Sequence, residues 1–343
     1  MKTDGAKQAV PRRRSVRRLL IAATVACVLF GVVGIGVVAA VGVGIRQVLE
    51  QSGYLEDWTD ADGVYVHGVQ YGANDWNRLD LYFPKEIAPE RSRGAVLFIH
   101  GGAWSGGRRG DMAGFARRTA KGGYVAASLG YMLSGDKTED GYSMNAVMNE
   151  IDAALKTLKE EATKRGAPLE KVALSGDSAG GHIAMLYAYS RGKNAPLPVV
   201  FVAPRVGPSD FHLETWPNLE AGTVAGLVSK MTQTETTVDA MKAKTPEAEA
   251  AIAAVSPATF AENGGAIPTL AAYGGQDGLV PTPHRERLVA ALEKSGVPFD
   301  VVDFPNSGHM LESDPEATQA RRKLFFEYAE RYLNVAPETQ TAE

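Results

Sequence analysis

Gly176-Asp177-Ser178-Ala179-Gly180-Gly181 constrains this chain more than any other stretch. The apolar run Val172–Leu174 leads into it and a helix-forming run, Ile183–Tyr189, leads away. A strand that becomes a helix within so few residues must turn sharply. The serine at the apex is then held in a strained backbone conformation with its hydroxyl raised, and flanking glycines remove Cβ atoms that would collide. The helix starting behind Ser178 turns free N–H groups toward any negative charge that develops there. A glycine- and serine-rich loop also satisfies a bare G-x-S-x-G pattern. The strand before it and the helix after it separate the two readings.

The surrounding chain has the alternation such a turn requires. Val64–Val69 and Leu79–Phe83 alternate apolar and polar side chains and predict an antiparallel start. Ala95–Ile99 is apolar throughout, as in a strand buried on both faces, with Gly123–Leu129 as its expected neighbour. Val147, Ile151, Ala154, Leu155 and Leu158 fall at helical spacing, and Gly166 and Pro168 close that helix. Further strands are expected at Pro198–Val202, Pro268–Tyr273 and Phe299–Phe304, and a last helix at Pro315–Leu333. The pattern predicts a mostly parallel central sheet with helices on both faces. Between Pro204 and Pro257 it gives way to Ala, Glu, Thr and Lys, with helices expected over Leu219–Lys230 and Thr236–Ala254. This insertion, residues 205–257, is either a cap over the sheet or ordinary crossover helices.

A second glycine-rich turn, His100-Gly101-Gly102-Ala103-Trp104, follows the Ala95–Ile99 strand. Two glycines let the backbone turn N–H groups toward a substrate oxygen, so Gly102, Ala103 and Ala179 are the expected oxyanion donors. Trp104 is expected to line the substrate pocket, and His100 to brace the loop. A serine hydroxyl needs a base. Of six histidines, His309 alone sits in a loop directly after the last strand, whereas His182 is helical and too local to Ser178. The acid that orients it should come from a strand end between them, and Asp277 in Tyr273-Gly274-Gly275-Gln276-Asp277 fits. Asp303 and Asp210 are its rivals, and Asp177 is expected to shape the turn.

Together these residues resemble the α/β-hydrolase superfamily in its esterase/lipase branch, over roughly residues 60–335. His100–Trp104 has the HGGxW form of the oxyanion motif, Gly176–Gly181 the GDSAGG form of the nucleophile elbow, and Ser307-Gly308-His309 the histidine segment. Ser256-Pro257 stands where that family often has such a pair before the acid strand. The resemblance implies an α/β-hydrolase fold and a carboxylic-ester hydrolase using an acyl-enzyme, with a small-molecule ester substrate and no cofactor. HGGxW also occurs in kynurenine formamidases, which leaves an arylformamidase-like amidase as the alternative. A catalytically inactive binding protein on the same scaffold is the third reading.

The head of the chain is of another kind. Leu19–Ile45 carries no charge, and as a helix would rise about 40 Å, enough to cross a hydrocarbon core of about 30 Å. Arg12, Arg13, Arg14, Arg17 and Arg18 precede it, which orients the N-terminus to the cytoplasm. A cleaved signal peptide is the competing reading, although its apolar core is ordinarily shorter. The net charge of −4 conceals this split. Residues 1–46 hold eight basic side chains against Asp4, which leaves 28 bases and 39 acids to the rest, so no basic excess suggests a nucleic-acid binder. The single cysteine, Cys27, excludes an intramolecular disulfide. The expected organisation is a basic cytoplasmic segment (1–18), a transmembrane signal anchor (19–45), a linker (46–60), the catalytic domain outside the cytoplasm (61–335) and a tail (336–343).

Overall fold

The computed structural model describes residues 54–88, 91 and 93–334. The basic segment 1–18, the apolar run 19–45, much of the linker and the tail 336–343 lie outside the described residues. Among the described residues no helix is long and apolar enough to cross a membrane.

In chain order the described residues form β1 (Gly63–Gln70), β2 (Arg78–Pro84), β3 (Gly94–Ile99), α1 (Ala113–Lys121), β4 (Val125–Leu129), α2 (Met144–Lys164), β5 (Lys171–Asp177), α3 (Ala179–Ser190) and β6 (Val199–Arg205). Then come α4 (Ala221–Thr232), α5 (Val238–Ala243), α6 (Pro246–Val255), α7 (Pro257–Phe260), β7 (Thr269–Gly274), α8 (Thr282–Ser295), β8 (Phe299–Phe304) and α9 (Pro315–Leu333). The strands make one sheet in the order β1-β2-β4-β3-β5-β6-β7-β8. β2 is antiparallel to both of its neighbours. From β4 through β8 every pairing is parallel.

The uninterrupted apolar runs are explained by this sheet's two covered faces. Along β3, Leu97 and Ile99 join one core with Leu174 of β5, Leu155 of α2 and Ile183 of α3. Val96 and Phe98, pointing the other way, join a second core with Ala116 of α1 and Phe325 of α9. Alternate residues of one strand thus serve opposite cores, so neither face can tolerate a polar repeat.

The 205–257 segment departs from expectation at one point. The single helix expected over Thr236–Ala254 is two, α5 and α6, broken at Lys244, which takes a left-handed conformation (φ 52°). The physical cause is Thr245-Pro246. Proline has no N–H to continue a helix and disfavours helical geometry in the residue before it. Thr245 instead caps α6, its Oγ1 accepting the Ala248 amide at 3.3 Å.

Candidate active site

Ser178 stands between β5 and α3, as the residue that caps the helix, with φ 54° and ψ −121°, outside the regions an L-residue ordinarily occupies. The glycines around it are required by close approach. A Cβ on Gly180 would lie 2.1 Å from the Ile99 carbonyl oxygen, and one on Gly176 would lie 2.5 Å from the carbonyl carbon of Gly180. The elbow is therefore wedged against the end of β3. Asp177 turns inward, its Oδ2 accepting from Nη1 of Arg205 at 3.3 Å with both side chains buried. The Arg205 carbonyl takes the Ser178 amide at 2.9 Å. One residue of β6 thus fixes the elbow by backbone and by side chain.

The loop after β3 closes on this elbow. A Cβ on Gly101 would lie 3.2 Å from Ser178 Cβ. Gly102, Ala103 and Trp104 all have positive φ (119°, 51° and 59°), and the amides of Ser105 and Gly106 both donate to the Gly102 carbonyl. Among the described residues no hydrogen bond engages the amides of Gly102, Ala103 or Ala179. His100 sits behind the loop, with Nδ1 donating to the Gly101 carbonyl at 2.8 Å and its ring stacked 4.3 Å from Tyr131. Burial lowers its pKa, which keeps it neutral.

The loops after β7 and β8 are laced together. The Gly275 amide donates to the Phe304 carbonyl and the Gln276 amide to the Ser307 carbonyl, each at 2.9 Å. This lacing delivers Asp277 to His309. Asp277 Oδ2 lies 2.7 Å from His309 Nδ1, and the other carboxylate oxygen accepts the amides of Leu279 (2.8 Å) and Val280 (3.0 Å). A carboxylate accepts, so Nδ1 carries the proton and Nε2 is the unprotonated nitrogen of the neutral ring. The Asp277 side chain has no exposure and that of His309 has 12%. The rivals are committed elsewhere. Asp303 holds Arg285 at 2.6 Å, and Asp210 holds His212 and Arg287.

Trp104 is only 5% exposed, and its indole N–H points at His182. Nε1 donates to His182 Nδ1 at 3.1 Å, and His182 Nε2 then donates to the Val255 carbonyl at 2.8 Å. Burial drives the His182 pKa down to about 4, in keeping with a neutral ring that accepts on one side and donates on the other. This chain ties the glycine-rich loop to α3 and to the end of α6. Sequence reasoning rejected His182 as a base and found no other use for it. It also overlooked Arg205, although an arginine closing the apolar run Val199–Ala203 signals a buried charge in need of an acid. Ser256 accepts the Phe211 amide on Oγ at 3.0 Å, which gives the Ser-Pro pair a bracing role. Among the described residues no group of three His, Cys, Asp or Glu side chains could hold a metal ion.

The BD-FAE family model matches residues 79–292, from β2 into α8. The esterase LipQ of Mycobacterium tuberculosis is 23% identical, over 76% of this chain and 59% of its own length. A probable isoprenylcysteine alpha-carbonyl methylesterase of rice, Oryza sativa subsp. japonica, is 30% identical over 35% of this chain and 27% of its own. This chain therefore spans less than two thirds of either relative. Among solved structures, a truncated carbohydrate esterase from gut microbiota superposes with a TM-score of 0.64 at 19% identity, covering 80% of this chain and 99% of that one. That likeness shows the fold, an α/β-hydrolase sheet with its helices.

Proposed function

The chain belongs to the BD-FAE family, and from that premise we propose that it is a serine hydrolase of small carboxylic esters. The 2.7 Å contact between His309 Nδ1 and Asp277 Oδ2 carries this reading, because it leaves Nε2 free to act as a base. In the proposed reaction Ser178 Oγ attacks the acyl carbonyl while His309 Nε2 takes the hydroxyl proton. The carbonyl oxygen becomes an oxyanion, held by the amides of Gly102, Ala103 and Ala179, each worth about 3–4 kcal/mol of transition-state stabilisation. The tetrahedral centre collapses, the C–O bond to the alcohol breaks, and His309 protonates the departing alkoxide. Water then gives a proton to the same nitrogen, attacks the acyl-enzyme, and releases the acid and Ser178. Asp277 steadies the imidazolium in both halves.

The names of the relatives support an ester as substrate: LipQ is an esterase, and the gut protein a carbohydrate esterase. The insertion braces the glycine-rich loop in this reading, since the end of α6 accepts from His182, which in turn holds Trp104. The uncharged run Leu19–Ile45 and the arginines before it support an anchored chain with its catalytic body beyond the membrane.

A fluorophosphonate probe tests the chemistry. Wild type is expected to be labelled and to hydrolyse p-nitrophenyl butyrate, and Ser178→Ala to do neither. An unlabelled, inactive wild type sinks the enzyme reading, and equal labelling of the variant means another serine reacts. N-terminal sequencing of membrane-extracted protein tests the anchor, which requires an intact Leu19–Ile45.

A further inference from the structure

A cavity of about 50 Å³ lies on the side of the sheet away from α3, between α1, α9 and the ends of β3, β6 and β8. Four arginines line it, Arg118, Arg205, Arg321 and Arg322, and no acid does. Two are matched from outside the lining. Arg118 pairs with Glu56 at 3.1 Å and Arg205 with Asp177 at 3.3 Å. Arg321 is different. It is 8% exposed, its Nη2 donates to the Ala203 carbonyl at 3.0 Å, and its buried Nε meets no acceptor. Among the described residues no carboxylate lies within ion-pair distance of it. A buried charge in that position is unfavourable unless an anion joins it. The rest of the wall is five phenylalanines, Phe98, Phe115 and Phe325 among them, and two threonines, Thr119 and Thr318.

We propose that this cavity is a binding site for a short-chain organic carboxylate of two or three carbons. The planar fork of a guanidinium matches a carboxylate, and the rings suit a small hydrocarbon tail. The volume corresponds to a few water molecules, the size of acetate or propionate. Burial and the neighbouring Arg205 push the Arg321 pKa down to about 9 against the smaller opposing effect of Asp177, and an anion in the cavity relieves both of the lowering effects. The site is separate from the proposed catalytic centre, but it shares Arg205, whose carbonyl holds the Ser178 amide at 2.9 Å. It stands whether or not the hydrolase reading does.

The test is thermal unfolding of the full chain with added propionate, against propionamide, chloride and phosphate at equal ionic strength. The melting temperature is expected to rise with propionate alone, and the rise to be lost in Arg321→Gln and in Thr318→Phe, which narrows the cavity and leaves every arginine in place. Should Arg321→Gln fail to fold, Thr318→Phe decides. No rise in wild type overturns the proposal. So does a rise that persists in the variants, since the acid then binds elsewhere, or an equal rise with phosphate or chloride, which means unspecific charge screening.

Discussion

The ring nitrogen Nδ1 of His309 lies 2.7 Å from Oδ2 of Asp277, while Oδ1 of the same carboxylate is held by the amides of Leu279 and Val280. Asp277→Asn separates these two duties. The asparagine Oδ1 can still accept both amides, so the loop should keep its shape. Its Nδ2 cannot accept from Nδ1–H, and the histidine turns to the tautomer with its proton on Nε2, where it can no longer take one from Ser178. The expected loss in kcat on p-nitrophenyl butyrate is on the order of 10³–10⁴-fold, with little change in melting temperature. A variant within tenfold of wild type removes Asp277 from the proposed role.

Trp104→Phe isolates the second relationship. The ring is retained, but Nδ1 of the fully buried His182 loses its donor. An unsatisfied buried acceptor costs about 1–3 kcal/mol, which in a domain of this size lowers the melting temperature by roughly 2–10 °C. Because the indole follows Ala103 directly, kcat should fall as well. An unchanged melting temperature indicates that the contact contributes nothing to stability.

The elbow, the glycine-rich loop and the Asp277 and His309 loops were legible because each is a local event, a strand end followed by residues that only a turn or a reaction needs. The two-faced sheet was legible for a similar reason, since apolar runs such as Ala95–Ile99 leave no polar side to place outward. What escaped were pairings between distant positions. Arg205 finds Asp177 28 residues away, and Trp104 finds His182 78 away. Neither partner can be named without knowing which strands are neighbours. The break between α5 and α6 was local and could have been found, since Thr245-Pro246 is a cap followed by a residue barred from a helix interior. Helical periodicity across it masked the signal.

Two glycines with opposite surroundings predict opposite outcomes. A Cβ on Gly180 would meet backbone at 2.1 Å, the Ile99 oxygen, and neither the elbow nor β3 can retreat without opening the sheet. Gly180→Ala is therefore expected to lose more than about 3 kcal/mol, or to yield no soluble protein. Gly226, exposed within α4, has nothing within 4 Å of the added carbon. There alanine removes backbone freedom from the unfolded chain, and Gly226→Ala should stabilise by about 0.5–1 kcal/mol. Urea unfolding of both variants checks the pair, and a destabilised Gly226→Ala contradicts the open surface assigned to that face of α4.

His212 predicts a pH dependence of stability. Its Nδ1 lies 2.7 Å from Asp210 Oδ1 and its Nε2 3.3 Å from Glu249 Oε2, so both ring nitrogens donate and the ring is an imidazolium joining the loop after β6 to α6. The hydrogen bond to Asp210 is the main cause that raises its pKa to about 9, against the opposing effect of burial. Burial alone would raise the Asp210 pKa, but His212 and Arg287 bring it below the ordinary value, so the partner is ionised throughout the neutral range. The folded state holds the His212 proton more tightly than the unfolded chain does. The stabilisation is then complete below the unfolded pKa near 6.5 and is lost as pH rises through about 9. Replacement by His212→Gln should cost about 2 kcal/mol near pH 6, a figure reduced for the solvent exposure of Glu249, and much less above about pH 9.5. Urea unfolding of both proteins across that range checks it, and a difference that does not vary with pH shows that the two carboxylates hold a neutral ring.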